Sequence, residues 1–396
     1  MFRIILTSFS LLFSVTQSTE ISASTKSQFE QALSNIGADE KVVGLAAAVV
    51  RNGKIESINT FGVREFGQPE PIDAQTIFRI ASLSKAFAAT ITGELVNEGQ
   101  LSLDTPISKF NQDFELRSAS QTKAMTLSDI LSHRVSLPPY AYDNLLEAGQ
   151  SPPKILQKMK KVSPICKVGT CYAYQNVAFN AITSAIETAS NQSYETNVVE
   201  RIFKPLGMSG ASFGKRNLES SENWARSHNL NRKKSLGNKT QKSLIWDTRE
   251  VKQAYYNVPA AGGINANISD MAKWLAAQIG YAPEVLPLKR LSMLHEPLVS
   301  TPAELRRTKR MKRVTQAHYG LGWRIYKYAG QTVVNHSGSV ESYVAQIAFM
   351  PEKDVGIVLL SNSRSQAFWD ILQLFLDYEL GLENDLLLKA DIKFNN

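Results

Sequence analysis

The 396-residue sequence predicts an α/β fold of the α+β type: an antiparallel sheet flanked by helices, with a mostly helical domain inserted. Three observations carry that reading. Residues 42–51 and 54–63 are two apolar, β-leaning runs joined through Asn52-Gly53, a strong short-range hairpin signal. Residues 321–328, 331–336, 342–350 and 355–361 read as four consecutive strands, with Ala329-Gly330 and the segment 351–354 as turns. Between the two groups, up to about residue 317, strands are hard to find and apolar residues recur at helical spacing. The economical arrangement sets the terminal strands beside the hairpin, giving a discontinuous sheet domain (24–85 plus 318–388) around a helical domain (86–317).

Taken in order, the chain opens on Arg3 and an apolar stretch over 4–15, followed by small residues suited to cleavage. Residues 1–18 are therefore expected to be a signal peptide, with cleavage as late as 23. The stretch is too short to span a bilayer and no later one qualifies, so no stable membrane insertion is expected. Ser24 then caps a helix with Phe29, Leu33 and Ile36 on one face and Gly37 at its close. After the hairpin comes the segment 80–99, an apolar helix with Phe87, Ile91, Leu95 and Val96 as its buried stripe and Gly99 as its C-cap. Further helices are expected at 126–132, 153–161, 175–190, 194–203 and 269–279, and an amphipathic helix over 366–380 closes the fold. The net charge of +8 is concentrated in basic runs at 232–242 and 306–313. No zinc spacing or RNA-binding aromatic motif accompanies them, so they read as solvated faces, with 229–242 a mobile loop, and nucleic acid is not an expected partner.

The chemistry starts at Ser82. Three residues on, the helical period returns Lys85 to the same face, within reach of the serine hydroxyl, which gives a nucleophile with a built-in base. Ser120, Ser151 and Ser212 also precede a lysine by three, but none opens an apolar helix that would fix the geometry. A second cluster is Tyr174-x-Asn176, where a tight turn at Gly169 meets a helix; Tyr142-x-Asn144 and Tyr255-x-Asn257 repeat the pattern without that setting. The third is His336-x-Gly338-Ser339 at a strand end, where a glycine lets a substrate backbone approach the strand edge. In an exported chain Cys166 and Cys171 are candidates for a small disulfide loop contributing about 2 kcal/mol. They supply too few ligands for a metal. Gly210-x-Ser212-x-Gly214 matches a nucleophile elbow, but lacks the buried strand and following helix that the elbow demands.

Ser82-x-x-Lys85, Tyr174-x-Asn176 and His336-x-Gly338, in that order, resemble the penicillin-recognising serine hydrolases, and most of all class C β-lactamases, DD-carboxypeptidases and their esterase relatives. The segments 202–208, 259–264 and 319–323 agree, and the similarity spans about residues 25–380. The resemblance implies a β-lactamase/transpeptidase-like fold without metal or organic cofactor. It makes Ser82 the nucleophile, with Lys85 and Tyr174 sharing the base and proton-relay work, and Asn176 orienting Lys85 and the substrate amide. It draws the oxyanion hole from the backbone N–H groups of Ser82 and Ser339. Burial, the ammonium and the helix N-terminus are expected to lower the pKa values of Lys85 and Tyr174. His336 stands where many relatives carry lysine and would face a substrate carboxylate, more weakly because it is mostly neutral at pH 7. Ser132–Pro138 departs from the usual pattern, which has glycine before Leu-Pro, and alters one cleft wall. The expected substrates are small molecules or peptides: a β-lactam, a D-Ala peptide or an ester. The expected location is the periplasm or the exterior of a bacterium.

Overall fold

The computed structural model describes residues 28–231, 244–308, 311, 313–385 and 387. The expected leader, the Ser24 cap and most of the basic loop lie outside them; Asn229 and Leu230 end the strand Ser227–Leu230.

The two apolar groups of the sequence meet in one eight-stranded antiparallel sheet. Its strands are β1 (Gly44–Arg51), β2 (Lys54–Gly62), β3 (Val299–Ser300), β4 (Val314–Tyr319), β5 (Arg324–Tyr328), β6 (Gln331–Val340), β7 (Tyr343–Met350) and β8 (Val355–Ser361), in the spatial order β2-β1-β8-β7-β6-β5-β4-β3. The hairpin turn has Asn52 at φ 48° and Gly53 at φ 70°, the two-residue geometry that matches strand twist. At the other edge, β3 and β4 come from the stretch where strands were hard to find. Only Ala317 and Tyr319 of β4 are buried, and a basic run precedes it, so it carries almost no period-2 signal.

Both faces of the sheet are covered, which is why β1 reads as an unbroken apolar run rather than an alternation. Ala46, Ala48 and Val50 face one core cluster, while Leu45, Ala47 and Val49 face the other. The first cluster holds α2 (Ser84–Asn97) and α3 (Ile268–Ile279), with Phe87 stacked on Trp274 at 4.0 Å between ring centroids. The second holds helix α1 (28–37) and α4 (Gln366–Glu379), where Phe29 meets Phe375 edge-on at 5.7 Å.

Gly99 follows α2 at φ 73°, as a C-terminal glycine should. Gly37 does not play that part. It lies inside α1, and a Cβ there would fall 2.2 Å from the Phe61 ring, so the glycine allows helix and sheet to pack closely. The helix expected over 175–190 is two, Val177–Asn180 and Ile182–Ser190, and residues 194–203 pass from an α turn into a π turn. No helix among the described residues is long and apolar enough to cross a membrane.

Candidate active site

The chain enters α2 through one 3-10 turn, Ala81–Leu83, and Ser82 sits on it. Ala81 has φ 48°, a left-handed conformation that a residue with a Cβ adopts only when its surroundings impose it. What imposes it is β6. A Cβ on Gly338 would lie 2.5 Å from Ile80 O and 2.9 Å from Ser82 N, so strand and turn touch backbone to backbone. β6 also outruns its neighbour. The β5 pairing ends at Arg324 opposite Asn335, while residues 336–340 pair with β7 alone, which leaves their other edge beside Ser82.

Lys85 is fully buried, and its Nζ lies 3.4 Å from Ser82 Oγ, 2.8 Å from Asn176 Oδ1 and 3.0 Å from Ala261 O. Burial pushes its pKa well below the usual lysine value, with Arg324 adding to the effect and Asp143 opposing it. A neutral amine fits the three partners: two N–H bonds serve Asn176 and Ala261, and the lone pair is left for the serine proton. Asn176 in turn donates from Nδ2 to Asp143 Oδ2 at 2.6 Å, which fixes the orientation of its amide.

The Tyr174 ring lies 4.6 Å from Lys85 Nζ, and its hydroxyl faces Ser82 without closing a hydrogen bond of ordinary geometry. Its pKa moves opposite to expectation. Burial raises it above the ordinary tyrosine value, and the Arg324 cation and Ser82 only partly offset that. Tyr174 is thus a neutral phenol, and Lys85 is the group poised to accept a proton.

His336 is also corrected. It is fully buried and does not line the cleft. Its Nε2 lies 2.9 Å from the Tyr319 hydroxyl, which lies 3.2 Å from Nε2 of the equally buried His133; Nδ1 of His133 accepts from the Gln175 N–H at 3.2 Å. That contact leaves His133 its proton on Nε2, so Tyr319 receives it and donates onward to His336. Burial holds both imidazoles well below their usual pKa. The cation that does line the cleft is Arg324 of β5, stacked 5.4 Å from the Tyr174 ring, with Nε 3.6 Å from Glu304 and no partner for Nη1 among the described residues.

Ser82, Tyr174, Asn176 and the strand residues Ser337–Val340 line one open cleft of about 210 Å³, walled by Tyr140, Tyr255 and Trp369. Gly338, packed against the Ser82 backbone, and Ser339 both line this cleft. Asp143, Tyr255, Arg324 and Trp369 escaped the sequence reading. Two of the four lie in the other repeats of Tyr-x-Asn: the 142–144 repeat contributes Asp143 to the cleft and the 255–257 repeat contributes Tyr255. Arg324 had a signal too, as a charged residue set between Trp323 and Ile325.

Cys166 and Cys171 are bridged, and the loop they close leads directly into the segment of Tyr174. Backbone bonds from Gly169 to Arg134 O (2.8 Å) and from Ala173 to His133 O (2.9 Å) fasten it to the cleft wall at 132–138. There Ser136 takes φ 69° in place of the usual glycine and donates to Cys166 O at 2.5 Å. Ser212 pairs in a two-residue strand opposite Asn265, outside the cleft. Among the described residues no three of His, Cys, Asp and Glu are grouped to hold a metal ion.

The chain matches the Beta-lactamase family over residues 29–372. It is 23% identical over 375 residues to the Beta-lactamase of Escherichia coli (strain K12), covering 84% of this chain and 89% of that protein. It is 24% identical over 343 residues to Unguisins hydrolase ungD of Aspergillus violaceofuscus (strain CBS 115571), covering 82% of this chain but spanning only 59% of that relative's length. Among solved structures, the octameric penicillin-binding protein homologue from Pyrococcus abyssi matches with a TM-score of 0.77 and 26% identity, over 90% of this chain and 78% of that one. The chain belongs to the Beta-lactamase family, the serine hydrolases of the β-lactamase and transpeptidase fold.

Proposed function

We propose that the protein is an exported hydrolase that works through a covalent acyl-enzyme at Ser82 on β-lactams or related D-Ala peptides of the cell wall. The observation that carries this reading is the placement of Lys85 Nζ, 3.4 Å from Ser82 Oγ with two other acceptors for its N–H bonds. The neutral amine takes the serine proton as Oγ bonds to the substrate carbonyl carbon. The oxygen then carries negative charge, and the backbone N–H groups of Ser82 and Ser339 are the donors assigned to it. Collapse breaks the bond to the leaving nitrogen or oxygen, which takes a proton from the neutral Tyr174 phenol, replenished from the Lys85 ammonium. Water then attacks the ester by the reverse proton path and releases the acid. Arg324 supplies the positive charge for a substrate carboxylate, which His336 was expected to face. Export to a periplasm or cell exterior rests on the leader pattern over 1–18 and is supported by the Cys166–Cys171 bridge.

The second reading keeps the site and changes the substrate to an ester or D-amino-acid peptide. It is favoured by the neutral, buried His336 at the strand position where many relatives carry lysine. Intact-protein mass spectrometry during incubation with a chromogenic β-lactam separates the outcomes. A transient adduct with sustained colour supports lactam hydrolysis. A lasting adduct without turnover points to a peptidase or a slow sensor. Absence of both, with turnover of 4-nitrophenyl acetate, selects the second reading.

A further inference from the structure

Asp143 has a role left open by the orientation of Asn176. It begins the short helix Asp143–Glu147, is 9% exposed, and lines the cleft. Only Oδ2 is engaged, accepting from Asn176; Oδ1 is buried with no partner among the described residues. A buried carboxylate oxygen without a donor is costly unless something that binds there supplies one. The surroundings specify the donor. Glu147 lies one helical turn on and accepts from the Tyr255 hydroxyl at 3.1 Å, so a second negative charge flanks the same wall. Tyr255 and Tyr140 line the cleft beside them, and Tyr140 is 44% exposed. Carboxylates framed by aromatic rings make a site for an organic ammonium, which donates charge-assisted hydrogen bonds to the former and makes a cation–π contact with the latter. The basic groups of the site do not occupy it. Lys85 Nζ is turned to Ser82, Asn176 and Ala261, and Arg324 belongs to the sheet wall, with Glu304 beside it.

We propose that Asp143 is the recognition group for a protonated amine on the substrate, so that the preferred substrates are aminoacyl compounds: amides, esters or lactams with a free primary ammonium close to the scissile carbonyl. Asp143 and Ser82 line the same cleft and are connected through Lys85 and Asn176 by contacts of 3.4, 2.8 and 2.6 Å. The inference rests on the acyl-transfer reading above and narrows it. N-acylated peptides, which have lost the ammonium, become poor substrates, and peptides or amino-acid derivatives with a free N-terminus become good ones.

The test compares matched pairs that differ only in the amine: alanine 4-nitroanilide against its N-acetyl form, in both enantiomers, and ampicillin against benzylpenicillin, at pH 7. 4-Nitrophenyl acetate, which carries no amine, reports whether the acyl-transfer site works at all. The expected result is a kcat/KM ratio of about tenfold or more in favour of the amine-bearing member of at least one pair, collapsing towards one in Asp143→Asn. A check that needs no variant is inhibition of 4-nitrophenyl acetate turnover by alaninamide, expected to be about tenfold stronger than by N-acetylalaninamide. Acetate turnover with no preference for the amine in either assay overturns the ammonium site and leaves the hydrolase intact. A preference that survives in Asp143→Asn overturns the assignment to Asp143. An enzyme that turns over none of these compounds overturns the acyl-transfer reading and this one with it.

Discussion

Acidification from pH 7 to 5 should weaken the fold by several kcal/mol through histidines that it keeps neutral. His133, His228 and His336 are each fully buried, and burial holds all three below the ordinary imidazole value, His228 at about 4. Each has an acceptor nitrogen already committed: His228 Nε2 accepts from the Phe66 N–H at 3.0 Å, and His133 Nδ1 from Gln175. In the unfolded chain the same imidazoles titrate near 6.5. Between the two values the unfolded state binds more protons, so stability is complete above about pH 6.5 and falls as the pH drops. At pH 5, one and a half pH units below the unfolded value, each imidazole that stays neutral removes about 2 kcal/mol. His228, and His295, which burial holds at about 3, together account for about 4 kcal/mol, a large part of a typical folding free energy, and the coupled pair His133 and His336, which share Tyr319, adds to the loss in the same direction. Asp143 and Asp270, whose carboxyls burial raises, return some stability, but only as the pH nears their own values. Urea unfolding at the two pH values measures the loss, and His228→Gln should reduce it by about 2 kcal/mol. Equal stability at pH 7 and pH 5, in wild type and variant alike, would refute the reasoning.

Other perturbations follow from the same contacts. Gly338→Ala should leave the circular dichroism of the fold intact yet lower kcat by about 100-fold, because the new methyl must displace Ile80 O or Ser82 N. Lys85→Arg, whose guanidinium cannot give up its proton, should cost about 10²–10⁴-fold in kcat/KM. In the wild type, acylation should rise with pH through a lysine value well below 10.5, and a profile flat from pH 5 to 9 would count against Lys85 as base. Arg79→Met should destabilise by about 3 kcal/mol in urea, since it strips a fully buried partner, at 2.8 Å, from Glu341 in the β6–β7 turn.

The central sheet was legible because β1 and β8 are apolar on both faces and the hairpin turn names itself in Asn52-Gly53. Edge strand β4 was not, because a strand with two buried residues leaves no period to read. At the site, Ser82, Lys85, Tyr174 and Asn176 stood out by spacing; Ser82, Tyr174 and Asn176 line one cleft, and Lys85 is buried against Ser82 and Asn176. The ionisation of Tyr174 and the direction of His336 were not legible, since both depend on burial beneath Arg324, Tyr319 and His133, which lie far away in sequence. Asp143 and Tyr255 looked like noise for the same reason: their significance comes from the wall they share, not from their neighbours in the chain.

The claim on which all else rests is that Ser82 carries the acyl group. The direct measurement is peptide mapping by mass spectrometry of protein quenched during turnover of a β-lactam or a 4-nitrophenyl ester, with Ser82→Ala alongside. The adduct should fall on the peptide containing Ser82 and vanish, with the turnover, in the variant. An adduct on another residue, or a Ser82→Ala protein that turns over as fast as the wild type, would contradict the account.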